Sequence, residues 1–242
     1  MKPGMRTSCA LLTLLLAPPI HAATQEMVFI AATNNTMPLA QFEGRQLVGG
    51  ILKDLGDAIA QRLGRRATYV NIPSKRVWSV LMQGEADGVC YVMPSWAEGT
   101  FDWSRPLIPD GVVLAAHHRA PVVRSLAELA NQPVGTVLGY HYPEVEAELG
   151  PRFIRDDAPT MEHNLKKLTA GRRQYGVVEL TALEYRIRND KAAKLRADVV
   201  FFRFKAHCAF SKRSQIPFAR VERAINALHG DGTVDAILDR YR

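Results

Sequence analysis

The sequence predicts an α/β fold of two lobes, each a β-sheet flanked by helices, with a cleft between them. Three observations predict it. Short apolar runs rich in β-branched residues alternate with stretches of helical periodicity, the pattern of strands joined by crossover helices. That alternation occurs once before residue 94 and again after residue 124. Between the halves lies "RPLIPDGVVLAAHHRAP" (105–121), extended and punctuated by proline.

In the first half, "EMVFIAAT" (26–33) is a strand that runs into a Thr-Asn-Asn loop. In "GGILKDLGDAIAQRLG" (49–64), Ile51, Leu55, Ile59 and Leu63 recur every four residues before Gly64, an amphipathic helix with a glycine stop. "ATYVNI" (67–72) is a strand by its β-branched and aromatic content. "SKRVWSVLMQG" (74–84) is a helix with Ser74 as N-cap and Gly84 at its end. "GVCYVM" (88–93) is again a strand.

The second half repeats this logic. "SLAELA" (125–130) is a short helix, "VGTVLGY" (134–140) a strand, "PEVEAEL" (143–149) a helix and "RFIRDD" (152–157) a strand. "TMEHNLKKLTAG" (160–171) is a helix capped by Thr160, followed by the strand "QYGVVEL" (174–180) and the helix "TALEYRIRN" (181–189). "VVFFRF" (199–204) and "HCAFSK" (207–212) read as two strands. The last 25 residues form two helices broken at Gly230-Asp231-Gly232. In open α/β sheets, loops at the carboxyl ends of strands face the cleft where ligands bind.

The chain opens with Lys2 and Arg6, then "ALLTLLLA" (10–17), then a small Ala22. The apolar core is too short to span a bilayer, and the order is that of a secretory signal peptide over 1–22, cleaved after Ala22 or Ala23. The mature chain is expected to be soluble and exported to the periplasm. Loss of Lys2 and Arg6 takes the formal charge from +7 to +5. The excess is scattered, and no basic run alternates with aromatics, so nucleic acid is a poor partner. His117 and His118 are adjacent and cannot share a face, so no metal site is expected, nor any cofactor. No G-x-S-x-G or S-x-x-K signature suggests nucleophilic catalysis. Cys90 and Cys208 survive signal removal, and an exported chain permits either a disulfide or two buried thiols.

In their order and spacing these segments resemble the family 3 extracellular solute-binding proteins, periplasmic receptors best known for amino acids. The pieces are "AATNNTMPLAQFEG" (31–44), "LVGGILKDLGDAIAQRLG" (47–64), the L-x-x-G-x-x-D turn in "VLMQGEADG" (80–88), "WSRPL" (103–107), "VGTVLGYHYPEVEAEL" (134–149), "LTAGRRQYGVVEL" (168–180) and "RVERAINALHGDGTVDAILDRYR" (220–242). "IPSKRVWSVLMQGEADG" (72–88) resembles a branch with Pro-x-x-Arg at the second helix. The resemblance implies the type II periplasmic-binding-protein fold. It implies lobe one at 24–104 plus 210–242, lobe two at 113–204, and hinge crossings at 105–112 and 205–209. It also lays the strand of Cys208 beside that of Cys90, which implies a disulfide.

The departures from the family bear on the ligand. Amino-acid receptors place an arginine before the aromatic-Ser pair to clamp the α-carboxylate, because a guanidinium meets a carboxylate bidentately. Here "MPSWAEGTFDW" (93–103) has none, and the clamp position falls at or near Gly99. The second lobe's Gly-Thr or Gly-Ser turn is replaced by Gly139-Tyr140-His141-Tyr142. The acidic residue that receives the amine is present as Glu179. The resemblance makes Trp103 a core aromatic; Phe101 alternates with it along one strand and packs with it, and Trp96, after Pro94 at a strand exit, is either a ligand wall or a surface cap. Arg76 is either a substitute anion contact or a solvated helix residue. Tyr140, His141 and Tyr142 form an aromatic wall, or some of them pack under the following helix. The ligand set the resemblance implies is Asn35, Met37, Arg76, Met93, Ser95, Trp96, Tyr140, His141, Tyr142, Thr160 and Glu179.

Two functions are expected. The first is a monomeric binding protein that closes on a small polar or aromatic solute, one that can carry an amine, and delivers it to an ABC-type permease or a sensor. The alternative is a cyclohexadienyl-dehydratase-like lyase on the same scaffold, with Glu179 or His141 as acid and an anion site for two carboxylates.

Overall fold

The computed structural model describes residues 25–242, and the signal segment read at 1–22 lies outside them. The first lobe is built on β1 (Glu26–Ala32), β4 (Arg66–Ile72) and β5 (Gly88–Val92), with β1 parallel to both neighbours. Its helices are α1 (Ile51–Arg62), α2 (Val77–Gln83), α6 (Phe218–Gly230) and α7 (Thr233–Asp239). The periodic face of α1 is buried at Ile51, Leu55 and Ile59, as an apolar stripe at four-residue spacing requires. A hairpin that the sequence reading leaves as loop, β2 (Gln41–Glu43) with β3 (Gln46–Gly49), stands before α1.

The second lobe is built on β8 (Pro133–Val137), β9 (Ile154–Ala158) and β10 (Tyr175–Glu179), all parallel, with α3 (Pro143–Leu149), α4 (Met161–Thr169) and α5 (Leu180–Asn189). The Thr160 hydroxyl accepts the His163 N–H at 3.2 Å and caps α4.

Two long strands cross between the lobes: β7 (Ile108–His117) and β11 (Leu195–Phe210). They pair antiparallel from Leu195↔His117 to Ala206↔Ile108. The nine-stranded sheet therefore runs β4-β1-β5-β11-β7-β10-β8-β9, with β6 (Asp102–Trp103) also on β11.

Three expectations change. "VVFFRF" and "HCAFSK" are one 16-residue strand, because β7 and then β5 offer continuous pairing partners. The crossings, read as extended hinge segments, are paired strands of the sheet, since their backbone groups must be satisfied there. Ser74 is not the cap of α2; it opens a 3-10 turn, Ser74–Arg76, and its side chain makes no cap bond.

Phe101 is buried, with its ring centroid 5.2 Å from that of Trp78, and Trp103 joins the same cluster half-buried. Cys90 and Cys208 face one another in the β5–β11 register and are joined by a disulfide, with Cα atoms 3.9 Å apart. It closes a loop of 118 residues and ties the crossing strand to lobe one. Replacing both cysteines by alanine is expected to lower the unfolding free energy by about 2–4 kcal/mol. An unchanged denaturant midpoint would contradict that.

Candidate functional site

β10 ends on Glu179, whose side chain is 8% exposed. On the neighbouring strand β7, Val112 is its register partner, so Asp110, two residues away, shares its face as a diagonal neighbour. Asp110 is 6% exposed. Its Oδ1 accepts the Gly111 N–H at 2.7 Å and the Thr181 N–H at 3.0 Å. Its Oδ2 accepts the hydroxyls of Tyr91 at 2.6 Å and Thr181 at 2.7 Å. Tyr91 belongs to lobe one and Thr181 to lobe two, so a single carboxylate on the crossing strand binds both. It also caps α5, while Glu179, at the N-cap position, makes no side-chain cap bond.

Tyr91 is held at φ 65°, a left-handed conformation costly for a bulky residue, and this aims its hydroxyl at Asp110. Its ring lies 6.0 Å from Phe204 of β11, and Phe204 meets Trp96 edge-on at 5.3 Å. Tyr140 stands opposite, beside Glu179 and Asn34. The buried Asn34 Oδ1 has no hydrogen-bond partner. A buried polar atom left unpaired at a cleft is a position for a ligand donor.

No ion pair among the described residues includes Asp110 or Glu179. Burial, and then the charge of Asp110, push the Glu179 carboxyl up to about 8, while hydrogen bonds from its own backbone and then from Tyr140 hold it back. Burial raises Asp110 as well, against the pull of the Thr181, Tyr91 and Gly111 hydrogen bonds.

Several of the groups that would hold a ligand carboxylate are otherwise engaged. Gly99 has φ 121°, which an arginine there would rarely adopt. In the second-lobe turn, the Tyr140 N–H donates to the Val137 carbonyl at 3.1 Å and the Tyr142 N–H to Glu146 at 3.4 Å. Pro143 has no N–H to give. At the start of α4 the Met161 N–H donates across the cleft to the Asn34 carbonyl at 3.1 Å. The Thr36 hydroxyl reaches Glu162 of α4 at 2.9 Å, where Arg186 also pairs. The Lys75 side chain lies 3.2 Å from where a Gly139 Cβ would stand, so the two lobes meet on this side.

The residues the resemblance names are distributed unevenly. Tyr140 and Glu179 come together with Asn34, Asp110, Tyr91 and Thr181, which the sequence reading does not single out. Trp96 is 42% exposed, on the far side of Phe204. Tyr142 lies in the lobe-two core, its hydroxyl accepting the Val137 N–H at 2.9 Å. Asn35 and Met37 are half-buried in the loop beside Asn34, and Met93 packs on the lobe-one core. Ser95, Arg76 and His141 are exposed, and Thr160 is engaged with His163. Two surface grooves, of about 410 and 380 Å³, lie on lobe one away from Glu179.

Two α/β lobes joined by paired crossing strands, with buried polar groups converging between them, define a two-lobed binding protein. The chain belongs to the bacterial extracellular solute-binding proteins, family 3, whose family model matches residues 29–242. No curated protein matches the sequence. Among solved structures, an amino acid ABC transporter substrate-binding protein from Streptococcus pneumoniae, bound to L-arginine, is similar at TM-score 0.73 and 20% identity, over 89% of this chain and 94% of that one. A histidine kinase sensor domain with similarity to periplasmic binding proteins is similar at TM-score 0.75 and 20% identity, over 90% and 96%. An ancestral amino acid-binding protein, a precursor of cyclohexadienyl dehydratase, is similar at TM-score 0.74 and 17% identity, over 89% and 94%. At these identities the likeness establishes the fold.

The Glu179 shift has a sign. Between pH 4.5 and about 8 the folded chain keeps a proton that the unfolded chain has lost. Its contribution is therefore full below 4.5 and is lost as the pH rises toward 8. Burial raises Glu162 too, but hydrogen bonding and charge from Arg186, with help from Thr36 and Lys166, bring it below its ordinary value, so its contribution fails at the acid end. Thermal melts without ligand should show stability declining from pH 5 to 8. Glu179→Gln should flatten that decline, worth on the order of a few kcal/mol. A wild-type curve flat over this range would contradict the assignment.

Proposed function

We propose that the chain is a periplasmic receptor that captures a small amine-bearing solute with an apolar or aromatic body, and passes it to an ABC-type permease or a sensor. Lobe one at 24–104 plus 210–242 closes on lobe two at 113–204, turning about the crossings at 105–112 and 205–209. The observation that carries this reading is the pair of buried carboxyls with no cation against either, beside a turn whose Tyr140 and Tyr142 N–H groups are already used. Such a site supplies a partner for an ammonium and none for a carboxylate. A buried carboxylate without a partner costs several kcal/mol, so an α-amino acid is a poor fit. Tyr91, Tyr140 and Phe204 offer ring faces that favour a cation and its hydrocarbon body. The lyase reading is weaker for the same reason, since its substrate would bring two carboxylates.

The test compares α-amino acids with their decarboxylated amines by thermal shift, because a ligand that binds only the folded state raises the melting point. The amine is expected to raise it more than the parent amino acid does. Glu179→Gln is expected to weaken amine binding by roughly 2–5 kcal/mol. An amino acid that stabilises the chain more than its amine does would overturn the ligand class, and turnover of prephenate would favour the lyase.

A further inference from the structure

We infer that capture in this cleft is an exchange: the two buried carboxyls of Asp110 and Glu179 share one proton, held on Glu179, and a ligand ammonium enters only as that proton leaves for solvent. The inference rests on the amine-receptor reading and adds to it Asp110, a residue that touches no ligand and sets the charge the ligand must carry.

The geometry assigns the proton. Two N–H groups donate to Oδ1 of Asp110 and two hydroxyls lie on Oδ2, so four donors favour its ionised form. Glu179 has two, its own backbone N–H and the Tyr140 hydroxyl. The groups that face Glu179 are Asp110 from β7, Tyr91 from β5, and Tyr140 and Tyr142 from the segment after β8. Two ionised carboxyls as diagonal neighbours in a buried site repel, so the proton is retained where donors are fewer.

The charges balance. Before binding, the pair carries one negative charge, an Asp110 carboxylate and a Glu179 carboxylic acid. When the ammonium enters and the Glu179 proton departs, two carboxylates face one cation, and the buried net charge is again a single negative charge. No additional net charge is taken from water into the interior, and each ion there gains a partner, which is what makes closure over the ligand feasible. A zwitterionic amino acid would add a second unpaired negative charge. A neutral alcohol would leave the proton in place and forgo the ion pair. The site therefore selects a carboxylate-free organic monocation.

The experiment is calorimetric titration of the mature chain with 2-phenylethylamine at pH 7, in phosphate and in Tris, whose ionisation enthalpies differ. Close to one proton should be released per amine bound. Affinity should rise by about tenfold per pH unit until the pH nears the value to which Glu179 is raised, about 8. Glu179→Gln should abolish both the release and the pH dependence. Asp110→Asn removes the neighbouring charge, so Glu179 should titrate at lower pH and less proton should be released. Amine binding without proton release overturns the exchange and leaves the receptor standing. Unchanged proton release in a folded Asp110→Asn overturns the role of Asp110. Failure of every amine to bind, while an amino acid does, overturns the receptor's ligand class instead. Should Asp110→Asn not fold, the wild-type comparison of the two buffers decides alone.

Discussion

A carboxylate removed from water must be surrounded by donors or it takes up a proton. Asp110 meets that constraint with four hydrogen bonds, and the arrangement of the rest of the cleft follows from where the donors come from. One is the hydroxyl of Tyr91 in lobe one, forced into place by a left-handed backbone. Two belong to Thr181, at the start of α5 in lobe two. The carboxylate itself sits on β7, one of the two strands that cross between lobes. The interaction that settles a buried charge is also the one that links the crossing strand to both halves of the molecule. The disulfide anchors the other crossing strand, β11, to β5, the strand that carries Tyr91.

Glu179 is next to this charge, and its chemistry follows from that position. Burial and then repulsion from Asp110 favour its protonated form, and on the proposed reading an ammonium reverses the preference. Several N–H groups that could greet an anion donate to the protein itself: those of Tyr140 and Tyr142 before α3 to Val137 and Glu146, and that of Met161 at the start of α4 to Asn34 of the opposite lobe. Selectivity in such a cleft comes as much from what is withheld from a carboxylate as from what is offered to an amine.

The fold was legible where local chemistry and tertiary structure agree. The four-residue spacing of Ile51, Leu55 and Ile59 marks α1, Thr160 marks the start of α4, and Gly230-Asp231-Gly232 marks the junction of α6 and α7. It was less legible where pairing partners decide. The length of β11 depends on β7 and β5 lying alongside, and the β2–β3 hairpin is short and largely exposed. The candidate site shows the same division. Glu179 and Tyr140 are named by the family resemblance. Asp110 stands in Pro109-Asp110-Gly111, whose local chemistry is that of a turn, and only its place in β7 turns its side chain toward Glu179. Tyr91 appears in the sequence as one more apolar strand residue, because its positive φ has no local signal. Asn34 is told from Asn35 only by burial, a property of the folded lobes rather than of the Asn-Asn pair.

The central claim is that Glu179, buried beside an ionised Asp110, holds a proton. It is tested most directly by carbon-13 NMR of the protein labelled at glutamate side-chain carboxyls, with the Glu179 signal assigned by its loss in Glu179→Gln. The account predicts one glutamate that titrates far above the others, near pH 8, and shifts to the ionised position when an amine is added at neutral pH. A Glu179 carboxyl that titrates at its ordinary value of 4.5, with or without amine, would contradict it.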